Sequence, residues 1–133
     1  MDREELVSTY RNYIACLNER NFAELKRFVD DNVCHNGRCL GITGYREMLE
    51  GDVCAIPDLH FEIEILVSDP PYIACRLRFD CTPKGQFLGL PVNGRKVSFT
   101  ENVFYEFRGK KICRVWSVID KAAIESQIQL IAD

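Results

Sequence analysis

From Leu59 to Val67 apolar and polar residues alternate, with Leu59, Phe61, Ile63, Ile65 and Val67 set against His60, Glu62 and Glu64. A period of two predicts a strand with one buried and one wet face. After the turn Asp69-Pro70-Pro71 the pattern resumes, with Ile73, Cys75, Leu77 and Phe79 on one side and Arg76, Arg78 and Asp80 on the other. Two more strands are expected over residues 97–107 and 111–119, joined around Arg108-Gly109-Lys110. Ahead of these strands the period is helical. Leu6, Tyr10, Tyr13, Ile14 and Leu17 define an amphipathic helix over residues 4–19. Asn21 is placed to cap a short second helix with Phe22, Leu25, Phe28 and Val29 inside. Asp30-Asp31-Asn32 breaks the pattern, and Val33-Cys34-His35 reads as a short strand. Asn36-Gly37 is a turn pair from which Arg38-Cys39-Leu40 returns. Thr43 opens a third helix through Tyr45, Met48, Leu49 and Val53, stopped by Pro57. Residues 82–95 read as a long connection rich in Gly and Pro, and a closing helix uses Ile124, Ile128 and Ile131.

Helices first, then long antiparallel strands, then one closing helix define an α+β fold in a single domain, residues 1–133. The sheet must curl, because only two or three helices are available to cover its apolar face. A curled sheet under helices encloses a cavity, the preferred shape for a small-molecule site. A length of 133 residues allows a real core but not two ordinary domains.

The composition, 47% hydrophobic and 28% charged, is that of a soluble globular protein. A net charge of −3 gives no reason to expect a nucleic-acid partner. No apolar run approaches the ~20 residues of a spanning helix, so no membrane association is expected. The start, Met1-Asp2-Arg3-Glu4-Glu5, lacks the layout of an export signal. Seven cysteines are scattered and odd in number, with no Cys-x-x-Cys pair and two histidines to complete a metal set, so no metal is expected. Most of them read as small core residues, of a protein in a reducing cytoplasm.

Candidate chemistry begins with Asp120, which closes the apolar run 112–119 just before the last helix. A carboxyl at the mouth of an apolar sheet is placed for proton transfer, because burial disfavours its charged form. Asp is equally a favoured helix N-cap, and Ile119 precedes it like a staple residue. Glu101 is the charged residue on the face formed by Val97, Phe99, Val103, Tyr105 and Phe107, where a carboxylate is costly unless paired or protonated. A bulge that turns Glu101 to solvent is the alternative. His35, beside the turn, is an acid, base or donor near neutral pH, or a structural histidine. Trp116 is in phase with Asp120 and would supply an apolar wall. Tyr10 and Tyr13 offer phenols but at helical spacing mark the core. With no phosphate loop, Ser-His-Asp set or dinucleotide fingerprint, cofactor-free acid–base work is the expected chemistry.

Four blocks together carry a resemblance: Pro57-Asp58-Leu59-His60-Phe61; residues 85–99 with Gly89-Leu90-Pro91 and Gly94-Arg95; Gly109-Lys110-Lys111-Ile112; and Val115-Trp116-Ser117-Val118-Ile119-Asp120. Their order and spacing resemble the SnoaL-like polyketide cyclases (ester cyclases) of the NTF2-like superfamily. The resemblance implies a cone-shaped α+β barrel with a deep apolar pocket, and a homodimer. It also implies intramolecular aldol ring closure without metal or cofactor, in which an aspartate, here Asp120, takes and returns a proton. On that reading His35 or Glu101 assists, and Trp116, Phe87 and Tyr13 wall a pocket for an apolar small-molecule ligand. Two positions depart from the family pattern. Thr82-Pro83-Lys84-Gly85 stands where relatives have Thr-His-x-Gly, and Glu101 stands where the residue is usually small or uncharged. A non-catalytic binding module, or a hydrolase using the same pocket, is the competing reading.

Overall fold

Helix α1 (Arg3–Asn18) starts where the extended Asp2 accepts a hydrogen bond from the Glu5 amide at 2.8 Å, and Glu4 and Glu5 suit its positive end. The computed structural model describes residues 1–132, with side chains through residue 129. Leu6, Tyr10, Tyr13, Ile14 and Leu17 all face the core, as their spacing predicts. The expected short second helix is a 3-10 turn, Phe22–Arg27, and the Asn21 side chain makes no capping bond.

Strand β1 (Val29–His35) contains Asp30-Asp31-Asn32, the triplet read from sequence as a break. The strand holds it by shifting register between Val29 and Cys34, and these polar residues stay at least partly in solvent. Helix α2 (Gly41–Ala55) follows, with Tyr45 and Leu49 buried. The main strands are β2 (Glu62–Asp69), β3 (Tyr72–Cys81), β6 (Val97–Arg108) and β7 (Lys111–Ile119). Between β3 and β6 the long connection forms a small hairpin, β4 (Gln86–Phe87) and β5 (Leu90–Pro91). Its turn residues Leu88 and Gly89 have φ of 53° and 76°, the left-handed pair a tight hairpin requires. Helix α3 (Lys121–Ala132) closes the chain.

The sheet order is β1-β7-β6-β3-β2, with β1 parallel to β7 and every other pair antiparallel. The α+β architecture is the expected one, a curled sheet whose concave face is covered by helices. That face is built from Ile73, Cys75, Leu77 and Phe79 on β3, Val97, Phe99, Val103, Tyr105 and Phe107 on β6, and Ile112 and Val115 on β7. Ile124 and Ile128 bring α3 onto it, and Gln127 clamps the helix by accepting from the Ser98 amide (2.8 Å) and donating to the Ser98 carbonyl (2.6 Å). Ile131, also expected to face inward, lies outside the residues whose side chains are described. The convex face leaves Ile65, Val67, Tyr72, Phe104, Trp116 and Val118 exposed. Among the described residues no helix is long and apolar enough to cross a membrane.

Further details differ from the sequence reading. Ile65 and Val67, read as part of the buried face of their strand, are exposed, because the register of β2 against β3 shifts between Ile63 and Ile65 and turns the later side chains outward. Glu106 pairs with Arg114 while Phe107 pairs with Ile112, so Cys113 is an extra residue in β7. Such a bulge flips every later side chain to the opposite face. Beyond it Val115, Ser117 and Ile119 point to the concave side. In addition, Cys34 and Cys39 form a disulfide across the 36–37 turn, where small core residues in a reducing compartment were expected; the other five cysteines are free.

Ile112 sits beside the bulge and is fully buried. Ile112→Ala should lower unfolding free energy by about 2–5 kcal/mol in urea denaturation, the cost of a core cavity. A loss under ~1 kcal/mol would show that this end of the sheet is loosely packed.

Candidate active site

The alternation of β6 carries Glu101 into the concave face between Phe99 and Val103. There it lines a pocket of about 70 Å³ together with Asp52, Ile56 and Leu59 on the α2 side. Phe61, Phe79, Phe87, Phe99 and Ile119 complete the wall. The rings pack in sequence, edge to face for Phe61–Phe79 (centroids 5.4 Å apart), stacked for Phe79–Phe99 (5.2 Å) and tilted for Phe87–Phe99 (5.5 Å). Phe87 arrives from the β4–β5 hairpin, whose start is tied to α2 by the Lys84 backbone amide donating to the Ala55 carbonyl at 3.0 Å.

Glu101 is half-buried, and desolvation raises its pKa. The Ser117 hydroxyl opposes that rise by donating to its Oε2, and the Asp52 charge reinforces it. Asp52 stands at the rim, exposed as a residue while its carboxyl lies against the pocket wall, and desolvation pushes it up to about 6. Both carboxyls are thus held above their ordinary range, chiefly by burial. Among the described residues no lysine, arginine or histidine lines the pocket.

Behind Glu101 lies a set of buried phenols. Tyr13 and Tyr45 share a hydroxyl hydrogen bond of 2.7 Å, and the Tyr10 hydroxyl donates to that of Tyr105 at 3.3 Å. Burial raises the pKa of all four, so they remain neutral donors and acceptors. Asp58, at the helix-to-strand junction, accepts from the Thr82 amide (2.8 Å) and hydroxyl (2.9 Å), which fixes the start of the hairpin segment.

The structure separates the residues singled out from sequence. Glu101 and Phe87 line the pocket. Trp116 does not, which corrects its expected place as a wall: it lies on the convex face opposite Phe104, because the Cys113 bulge reverses the phase of β7. Tyr13 is also corrected, being sealed in the core with its hydroxyl committed to Tyr45. His35 packs beside Tyr45 with ring centroids 6.3 Å apart, outside the pocket lining, and burial followed by the Arg38 charge lowers its pKa. Asp120 is exposed and accepts from the Ala123 amide at 3.1 Å, the N-cap of α3, and its own amide donates to the Thr100 carbonyl at 2.9 Å. Asp52 is the residue the sequence reading missed. Its signal was present, since Tyr45, Leu49, Asp52 and Ile56 recur at helical spacing on one stripe of α2. Among the described residues no group of three or more His, Cys, Asp or Glu is arranged to hold a metal ion.

Comparison with known proteins places this geometry. Residues 7–128 match the family described as SnoaL-like polyketide cyclase, and the chain belongs to that family. A SnoaL-like polyketide cyclase from Agrobacterium tumefaciens is 59% identical, superposing with a TM-score of 0.92 over 92% of this chain and 97% of that one. TsrD from Streptomyces laurentii (21% identical, TM-score 0.83, 96% of each chain) shares the fold. So does AclR from Streptomyces galilaeus, a proposed hydroxylase (19% identical, TM-score 0.79, 96% of this chain and 98% of that one). No curated protein matches the sequence.

The raised pKa of Asp52 has a consequence for stability. Between its ordinary value of 3.8 and about 6 the native state binds the proton more tightly than the unfolded chain does, so stability falls as pH rises through that window. Urea midpoints of the wild type should drop across this range relative to Asp52→Asn. A difference that is constant with pH would contradict the desolvated position.

Proposed function

We propose that this chain is a cofactor-free acid–base enzyme of the cyclase or isomerase type that works on an apolar, carbonyl-bearing small molecule. The observation that carries the reading is the pair Glu101 and Asp52, one from the sheet and one from α2, in a pocket otherwise walled by aromatic and aliphatic side chains. With one proton between them, the ionised carboxyl removes a proton from the carbon next to a carbonyl. The protonated one donates to the carbonyl oxygen. The resulting enol attacks a second carbonyl of the same molecule, closing a ring, or is reprotonated elsewhere as an isomer. The proton taken and the proton given balance over the cycle. A volume of about 70 Å³ seats only the reacting end of a ligand, since sites that enclose a whole ligand are roughly 300 Å³ or more.

That small volume, and the engagement of Asp120 as a cap, favour a second reading in which the pocket binds without turnover. Deuterium incorporation next to the carbonyl of small cyclic ketones, followed by NMR, separates the two. The enzyme reading expects exchange that falls about 10²- to 10⁴-fold in Glu101→Gln. Asp120→Asn, which keeps a good cap, should leave the rate unchanged. No exchange in the wild type supports the binder, and loss in Asp120→Asn with retention in Glu101→Gln returns the proton-transfer role to Asp120.

The family membership also supports a homodimer, and the convex face supplies an apolar surface for it in Ile65, Val67, Tyr72, Phe104, Trp116 and Val118. Light scattering after gel filtration should give twice the chain mass for the wild type and the single mass for Phe104→Glu. A monomeric wild type contradicts the dimer.

A further inference from the structure

One hydrogen-bonded path leaves the pocket and ends at the surface disulfide. Ser117 donates its hydroxyl to Glu101 Oε2. Asn36 grips Ser117 on both sides, accepting from its amide at 2.8 Å and donating Nδ2 to its carbonyl at 3.2 Å. Asn36 itself occupies the left-handed region, with φ of 48°, at the tip of the turn between Cys34 and Cys39. The turn is closed by reciprocal backbone bonds between His35 and Arg38 at 2.8 and 2.9 Å, and it is tied to β7 by the Asn36 amide on the Val115 carbonyl at 2.8 Å.

The geometry points to the Cys34–Cys39 turn as a redox-sensitive positioning device for Glu101, acting through Asn36 and Ser117. Cys39 is exposed and open to attack by an external thiolate. A dithiol reductant breaks the bond by exchange: its first sulfur forms a mixed disulfide with one cysteine, and its second displaces that cysteine as a thiol. The protein gains two electrons and two protons and becomes a dithiol, and the reductant becomes the disulfide. Without the crosslink the turn that fixes the Asn36 side chain is free to open, and the grip on Ser117 loosens. The inference rests on Glu101 being a working carboxyl of the pocket, but its test needs no turnover.

The groups facing Glu101 are Asp52 and Tyr45 from α2, Tyr13 from α1, Cys75 from β3 and Tyr105 from its own strand. The phenols and the thiol are held neutral by burial, which leaves Asp52 as the neighbour that titrates in the same range. The experiment therefore follows the Glu101 side-chain carboxyl carbon by NMR against pH in an Asp52→Asn background.

Ser117→Ala should raise the Glu101 midpoint by about one pH unit, through loss of a donor to the carboxylate, and Ser117→Thr should restore it. Asn36→Ala, dithiothreitol treatment and the double variant Cys34→Ser/Cys39→Ser should each move it the same way by a smaller amount. Because the other five cysteines are free, the reductant acts on this one bond. Superposable titrations in oxidised and reduced protein would overturn the device, and so would an unmoved midpoint in Ser117→Ala.

Discussion

Strand β6 runs through the middle of the sheet with Val97, Phe99, Glu101, Val103, Tyr105 and Phe107 on one face. A carboxyl in that row must give up water, and the rest of the site follows from how the protein deals with the loss. One oxygen receives the Ser117 hydroxyl, which partly compensates the carboxylate. A small pocket is left beside it, where the aromatic rings of β3, β6 and the β4–β5 hairpin pack on one another. A second carboxyl, Asp52, faces the same space and makes it harder for Glu101 to be charged. Packing alone would place an apolar residue at position 101. A chain that keeps a glutamate there bears a stability cost that proton chemistry would explain.

The Cys113 bulge decides which residues meet Glu101. Without the extra residue, the inward side of β7 would be Arg114, Trp116 and Val118. With it, Val115, Ser117 and Ile119 turn inward and supply core, hydrogen-bond donor and pocket wall. The displaced Trp116 and Val118 join the convex apolar face instead. One inserted residue thus assigns one side of a strand to the pocket and the other to the convex apolar face.

Most of the architecture was legible from periodicity because β3 and β6 each bury one face and each helix one stripe; in β2 a register shift turned Ile65 and Val67 outward instead. Glu101 was legible for the same reason, as a charge out of place in an apolar row. The position of Trp116 was not, because a bulge conserves the local alternation on either side of itself and changes only the phase between them. Asp52 was hidden as one more acidic residue of α2 beside Glu47 and Glu50, although its place between Leu49 and Ile56 on the inward stripe marks it once the helix is drawn. The small hairpin carrying Phe87 was read only as a connection, since two-residue strands leave no period to detect. The Cys34–Cys39 crosslink went unread because only the fold of the 36–37 turn shows that the two sulfurs meet. The family resemblance pointed to Asp120, yet the segment's own chemistry also offered the cap that the structure shows.

The central claim is that Glu101 and Asp52, not Asp120, hold the reacting carbonyl. A crystal structure of the wild type with cyclopentanone bound tests it most directly. The account predicts the ketone oxygen within about 3 Å of one of these two carboxyls, with the ring against Phe87 and Phe99. Density for the ketone against Asp120, with Glu101 untouched and still bonded to Ser117, would contradict it.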